Sequence, residues 1–125
     1  MAAKTRRYDA IPAAEPRWRE GATLFNERRY FESHEVWEAL WHDVGGDERQ
    51  LLQGLIQLAA AYHHLAHGNR SGAEYLYRRG RERLSRWVPA RAGLPVAELL
   101  EQVDRDFAAL NAGGAVGAPQ IHMAQ

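Results

Sequence analysis

The chain has 125 residues, 46% of them hydrophobic, with four tryptophans, no cysteine, and 16 basic residues against 16 acidic ones. This is enough for one domain with its own core, and the aromatic content excludes an intrinsically disordered chain. The lack of cysteine excludes disulfides and thiolate metal sites, and zero net charge argues against a general polyanion binder.

No run approaches the roughly 18 apolar residues of a membrane span, and the start, MAAKTRRYDAIPAAEP, lacks the apolar stretch of a signal peptide. A soluble cytoplasmic protein with no membrane partner is the expectation. Residues 1–15, with Pro12 and no periodicity, predict an irregular arm laid over the domain. Pro16 suits the first turn of a helix, where its missing N–H costs nothing. Trp18, Ala22, Leu24 and Phe25 then mark a short amphipathic helix ending near Asn26. After a tight connection over 26–29, a second helix is predicted from Phe31 to Val44, stopped by Gly45-Gly46.

At 100° per residue, Ser33, Val36, Trp37, Leu40, Trp41 and Val44 form one broad face of this second helix. His34 and Glu38, four apart, sit together at its border beside Trp41 and Tyr30, while Glu35 points away with Glu32 and His42. Asp47 is placed to cap a third helix, about 48–67, which is apolar nearly all round and is expected to be the buried centre of the fold. Its Gly54 is expected where another helix backbone comes close. One polar stripe crosses it: Arg49, Gln53, Ile56, Ala60, His63. Leaving Gln53 or His63 buried and unpaired would cost about 1–3 kcal/mol each, so both are expected to find partners on the second helix.

Gly68 and Asn69 close the third helix and cap the fourth, about 70–87, whose inner stripe is Ala73, Leu76, Tyr77, Gly80, Leu84 and Trp87. Pro95 opens a fifth helix, about 95–111, with Val96, Leu99, Leu100, Val103, Phe107 and Leu110 inward. No stretch alternates as a strand does. The expected fold is all-α: about five helices in antiparallel hairpins, forming one domain over 16–111 with a flexible, frayed tail over 112–125.

Charge is segregated along the chain. Residues 32–48 hold six acids and no Lys or Arg, residues 70–86 hold six arginines against Glu74 and Glu82, and residues 98–106 turn acidic again. A basic helix between acidic ones suits packed neighbours. Arg79, Arg83 and Arg86 also share a stripe near Tyr75, which opens a second reading in which helix four meets an acidic partner or nucleic acid. Glu82 interrupts that stripe and no nucleic-acid-binding motif is present, so nucleic acid is disfavoured.

Leu24-Phe25-Asn26, Tyr30-Phe31-Glu32, His34-Glu35, Glu38, Trp41, Arg49, Gln53 to Gln57, Ala60, His63 and Gly68-Asn69 form a series of landmarks in order. Over roughly residues 18–85 the chain resembles domain-of-unknown-function family 309, small helical proteins, mostly prokaryotic, marked by an HxxxExx(W/Y) motif. The resemblance implies a compact all-α domain of unassigned function, with the motif, here His34, Glu38 and Trp41, suspected of a functional role and of metal binding. One departure is the turn before Tyr30, which in the family often carries a glycine and here reads Glu27-Arg28-Arg29. A left-handed Arg28 would cost on the order of 1 kcal/mol.

Three uses of the His34–Trp41 stretch compete. In the first, His34, Glu38 and His63 supply two nitrogens and a carboxylate to a divalent zinc, manganese or iron ion, in a metal-dependent hydrolase. His34-Glu35-Val-Trp-Glu38 superficially resembles the zincin HExxH helix, but the outward Glu35 does not suit the base of that motif. A metal-free acid–base enzyme would use the same groups, with His34 and Glu38 as the catalytic candidates and Glu38 tuning His34. In the second, His34, Glu38, Arg49, Gln53 and His63 form a hydrogen-bonded cluster that fixes helix register. In the third they border a pocket for a small molecule or peptide, with Tyr30, Trp37 and Trp41 as walls and His34, Glu38, Arg49 and Gln53 as polar anchors. The leading expectation joins the last two: a binding or interaction module, with homo-oligomerisation open, whose His/Glu cluster borders a pocket between helices two and three. His63, His64 and His67 lie at a helix C-terminus, where capping is favoured over ligation.

Overall fold

The computed structural model describes residues 6–124. Five α-helices follow in order: α1 (Pro16–Asn26), α2 (Tyr30–Asp43), α3 (Gly46–Ala66), α4 (Arg70–Leu84), extended by a 3-10 turn over Ser85–Trp87, and α5 (Val96–Asn111). Among the described residues there is no strand, only isolated bridges at Tyr8–Val44 and Arg91–Leu94. The fold is all-α, as the periodicity requires.

α3 is the central element because it is apolar on nearly every side. Leu51, Leu52, Leu55, Leu58, Ala59 and Ala61 are wholly buried within it. α2 and α4 lie antiparallel along it, α1 packs on α2, and α5 packs on α4. α5 also reaches α3, where the Tyr62 ring meets the edge of Phe107 at 5.9 Å. The α3–α4 crossing is close because Gly54 and Gly80 face each other. A Cβ on Gly80 would stand 2.9 Å from the Gly54 carbonyl oxygen, and one on Gly54 would stand 2.8 Å from Leu84 Cγ. Asn69 caps α4 by accepting a hydrogen bond from the Gly72 amide at 3.0 Å.

α3 starts two residues earlier than the polar pattern indicates. Its N-cap is Gly45, with no side-chain cap, so Asp47 sits in the first turn and acts on the helix dipole instead. The arm accounts for this start. Its Tyr8 amide donates to the Asp43 carbonyl, and the Gly45 amide donates to the Tyr8 carbonyl. Gly46, at φ +69, leaves no room for a Cβ beside the Asp9 carbonyl oxygen. Further on, Ile11 is buried and its amide donates to Glu48 Oε1 at 2.7 Å, while Arg91 Nε donates to Glu48 Oε2 at 2.8 Å. The expected arm thus lies on the domain from Arg6 onward, and its first five residues fall outside the described ones.

The tail expectation is corrected. Instead of fraying after Gly113, the segment docks: Pro119 and Ile121 are buried. Two amide side chains hold its backbone. Asn26 Oδ1 accepts from the Ile121 amide and Asn26 Nδ2 donates to the Ile121 carbonyl, while Gln102 makes the same pair of bonds with Gln120. The Ala124 amide donates to the Gly93 carbonyl, and the Gly117 amide to Asp106 Oδ1. A short polar-poor tail carries no periodicity, so only the receiving amides on α1 and α5 reveal that it is held.

The turn before α2 has the conformation its sequence makes costly. Arg28 sits at φ 63 and the Arg29 amide closes the end of α1 on the Leu24 carbonyl at 2.9 Å. Arg28→Gly removes the left-handed strain at an exposed position, offset in part by a freer unfolded chain. The expected outcome in urea titration is a gain of up to about 1 kcal/mol, with Arg28→Val losing stability. A loss of stability for Arg28→Gly would contradict this account of the turn.

Candidate functional site

α2 and α3 run antiparallel, so the polar positions of one meet those of the other in reverse order. Phe31 and His34 on the first turns of α2 face Ala60, His63 and His64 near the end of α3. Trp41, on the last turn of α2, meets Arg49 near the start of α3. Arg49 and His63 are fourteen positions apart, roughly 20 Å along a helix. The stripe Arg49–Gln53–His63 therefore shares one face without sharing one site.

Trp41 is half-buried, with the Arg49 guanidinium stacked flat on its ring, 3.4 Å from the centroid, and Arg49 Nε donating to the Trp41 carbonyl oxygen at 3.3 Å. The Arg6 guanidinium also approaches this ring, at 5.9 Å. Such stacking holds the junction of α2, α3 and the arm through cation–π attraction and covered area. Arg49 is thereby committed to Trp41, away from His34.

His34 Nε2 lies 3.6 Å from Glu38 Oε2, with the Glu38 side chain about half exposed. His34 Nδ1 is buried and has no hydrogen-bond partner in the protein. Neither His63 nor Gln53 hydrogen-bonds to His34 or Glu38 among the described residues, so the expected interhelical network does not form. The physical reason is Phe31. Its ring packs against both imidazoles, 6.0 Å from His34 and 5.3 Å from His63, and fills the seam with apolar surface. Among the described residues, no group of three or more His, Cys, Asp or Glu side chains is placed to hold a metal ion. The set His34, Glu38, His63 is corrected accordingly: the first two adjoin, and the third stands across an aromatic ring.

What the two helices do enclose is a cleft of about 300 Å³ lined by Phe31, His34, Ala60, His63 and His64. Ala60 supplies a shallow floor, and Phe31, 51% exposed, forms an uncovered wall. Of the residues expected to line a pocket here, only His34 and His63 do. Trp37 is wholly buried with its Nε1 donating to the Trp18 carbonyl oxygen, and Tyr30 is buried against Phe25 and Tyr62, so both are core. Phe31 and His64 were missed as lining residues. The available signal was spacing, since Phe31 precedes His34 by three positions and shares its face.

His63 is the electrostatic centre of this cleft. Burial lowers its pKa first, and the neighbouring His67, His64 and His34 lower it further. Its ring stands 4.3 Å from that of His67. His67 Nδ1 in turn bonds the His63 carbonyl oxygen at 2.9 Å, which is the capping role expected at this helix end. The lowered pKa keeps His63 itself neutral further into the range where a free imidazole begins to protonate.

The basic helix is paired as its charge pattern suggests on one side only. Arg81 grips both carboxylate oxygens of Asp104 on α5 at 2.8 Å, and Tyr77 Oη donates to the same carboxylate at 2.6 Å. No helix among the described residues is long and apolar enough to cross a membrane. The family model described as Domain of unknown function (DUF309) matches residues 18–76, a stretch running from Trp18 through the whole α2–α3 hairpin into α4. No curated protein matches the chain.

Proposed function

The chain belongs to domain-of-unknown-function family 309 across residues 18–76, a family that lends it no activity, and we propose that it is a binding module whose α2–α3 cleft takes a small, uncharged aromatic or apolar group. The cleft between Phe31 and the imidazoles of His34, His63 and His64 is the observation that carries this reading. Its walls are ring faces, and rings attract other rings at centroid separations of about 4.5–7 Å. Its volume is at the low end of ligand sites, which run from about 300 to 1,000 Å³, so the occupant is a single ring or side chain. The half-exposed Glu38 beside His34 supplies a polar rim. A hydrolase reading draws less support, because the groups it needs do not meet at one point.

Indole and p-cresol are suitable probes, followed by amide shifts in two-dimensional NMR. The expected result is saturable shifts confined to the amides around Phe31, Ala60, His63 and His64, abolished by Ala60→Leu, which fills the floor. Shifts scattered over the surface, or shifts that survive Ala60→Leu, would sink the reading.

A further inference from the structure

The second polar feature lies at the other end of α3, where α4 crosses it. A groove of about 270 Å³ is lined by Gln50 of α3 and by Arg79, Glu82, Arg83 and Arg86 of α4 and its 3-10 extension. Five other arginines meet carboxylates: Arg17 with Glu15 and Asp43, Arg29 with Glu32, Arg70 with Glu74, Arg81 with Asp104, Arg91 with Glu48; arginines unpaired among the described residues, such as Arg19, Arg28, Arg78 and Arg105, do not line this groove. Among the described residues, none of Arg79, Arg83 or Arg86 has a carboxylate at ion-pair distance. Three arginines thus line one groove against the single carboxylate of Glu82.

Arg83 is the fixed member of the three. It is half-buried, its Nη1 donates to Gln50 Oε1, and its Nε is buried without a hydrogen-bond partner in the protein. A guanidinium anchored at one nitrogen has a defined plane, which is what bidentate recognition of an oxyanion needs. Arg79 and Arg86, four positions before and three after it, are exposed and stand on either side.

We propose that this groove binds the phosphoryl group of a small phosphate ester. The argument for phosphate over carboxylate is stoichiometric. A phosphomonoester dianion offers three terminal oxygens to three guanidiniums, and its charge matches the groove's surplus of arginine over Glu82. The argument for a small ligand over nucleic acid is extent: the groove is short, carries the carboxylate of Glu82, and is set in a chain of zero net charge.

The test is calorimetric titration of the full chain at neutral pH and low salt with inorganic phosphate, phenyl phosphate and acetate in turn. Saturable binding of both phosphates, with acetate much weaker, is expected. Stronger binding of phenyl phosphate than of inorganic phosphate identifies an ester as the ligand, and equal binding identifies the free ion as sufficient. Because Arg79 and Arg86 are exposed, the double variant Arg79→Gln/Arg86→Gln should keep its circular dichroism and lose roughly tenfold or more in affinity, while Glu82→Gln should gain. Ala60→Leu, which closes the other cleft, leaves phosphate binding unchanged. No phosphate binding at millimolar concentration, equal binding by the double variant, or binding of a single-stranded RNA oligonucleotide through these arginines without any binding of phosphate would each overturn the proposal.

Discussion

Trp37→Ala is expected to lower the stability of the domain by about 3–5 kcal/mol, the range for truncating a large buried aromatic. Against a total of about 5–15 kcal/mol for domains of this kind, that leaves a marginally folded protein. The reason is local and specific. Trp37 is wholly buried where α2 packs on α1, its ring centroid 6.1 Å from that of Phe25. Its indole nitrogen bonds the Trp18 carbonyl oxygen at 3.2 Å. α1 is shaped to receive it, because a Cβ on Gly21 would fall 2.1 Å from Trp37 Nε1. Ser33 Oγ, one turn before it, donates to the Gly21 carbonyl oxygen at 2.7 Å and fixes the same contact. Trp41→Ala is the informative companion: that ring is half-buried and covered by Arg49, so its loss should cost about 1–2 kcal/mol, the scale of a cation–π contact and its covered area rather than of a core cavity. Urea unfolding followed by circular dichroism distinguishes the two. Equal effects, or a loss below about 1 kcal/mol for Trp37→Ala, would contradict the packing described.

Gly80→Ala is the second large effect, and its sign is the point of interest. In an exposed helix the exchange stabilises by about 1 kcal/mol through backbone propensity. Here the added methyl meets the Gly54 carbonyl oxygen at 2.9 Å and Leu58 Cδ2 at 3.1 Å. A backbone oxygen cannot rotate aside, so α4 must lift from α3, and the expected outcome is a net loss of about 1–3 kcal/mol despite the better helix former. The same displacement moves Arg83 away from Gln50, so phosphate affinity should weaken along with the unfolding midpoint. A stabilised Gly80→Ala protein would mean that the two helices are not in backbone contact.

Much of this architecture is legible along the chain because it depends on neighbours in sequence. Pro16, Gly45-Gly46, Gly68-Asn69 and Pro95 mark helix limits through local backbone preferences, and the all-round apolarity of residues 51–62 marks α3 as central. The separation of Glu35 from His34 and Glu38 also follows from helical period alone. The placement of Gly54 against another helix follows from the cost of glycine inside a helix, which requires a compensating close contact.

The candidate site is legible only in part. His34 and His63 do line one cleft, but Glu38 stays at its rim, Arg49 is taken by Trp41, Gln53 bonds to neither His34 nor Glu38, and Phe31 occupies the seam where a polar network was expected. A helical wheel gives angle and discards height, so residues separated by several turns look adjacent. The docked tail was hidden for another reason: Asn26 and Gln102 recognise backbone, and backbone leaves no trace in the identity of the residues that supply it.

By itself, then, the sequence determines an all-α fold, its helix limits apart from the start of α3, its central helix and the faces on which His34, His63, Arg79, Arg83 and Arg86 stand, since these rest on local propensity and on the 3.6-residue period. Tertiary structure alone decides which of those residues meet. The antiparallel register of α2 on α3 and the glycine-mediated approach of α4 convert two polar stripes into an aromatic cleft and an arginine groove, because contact depends on where helices cross and which neighbour fills the space first.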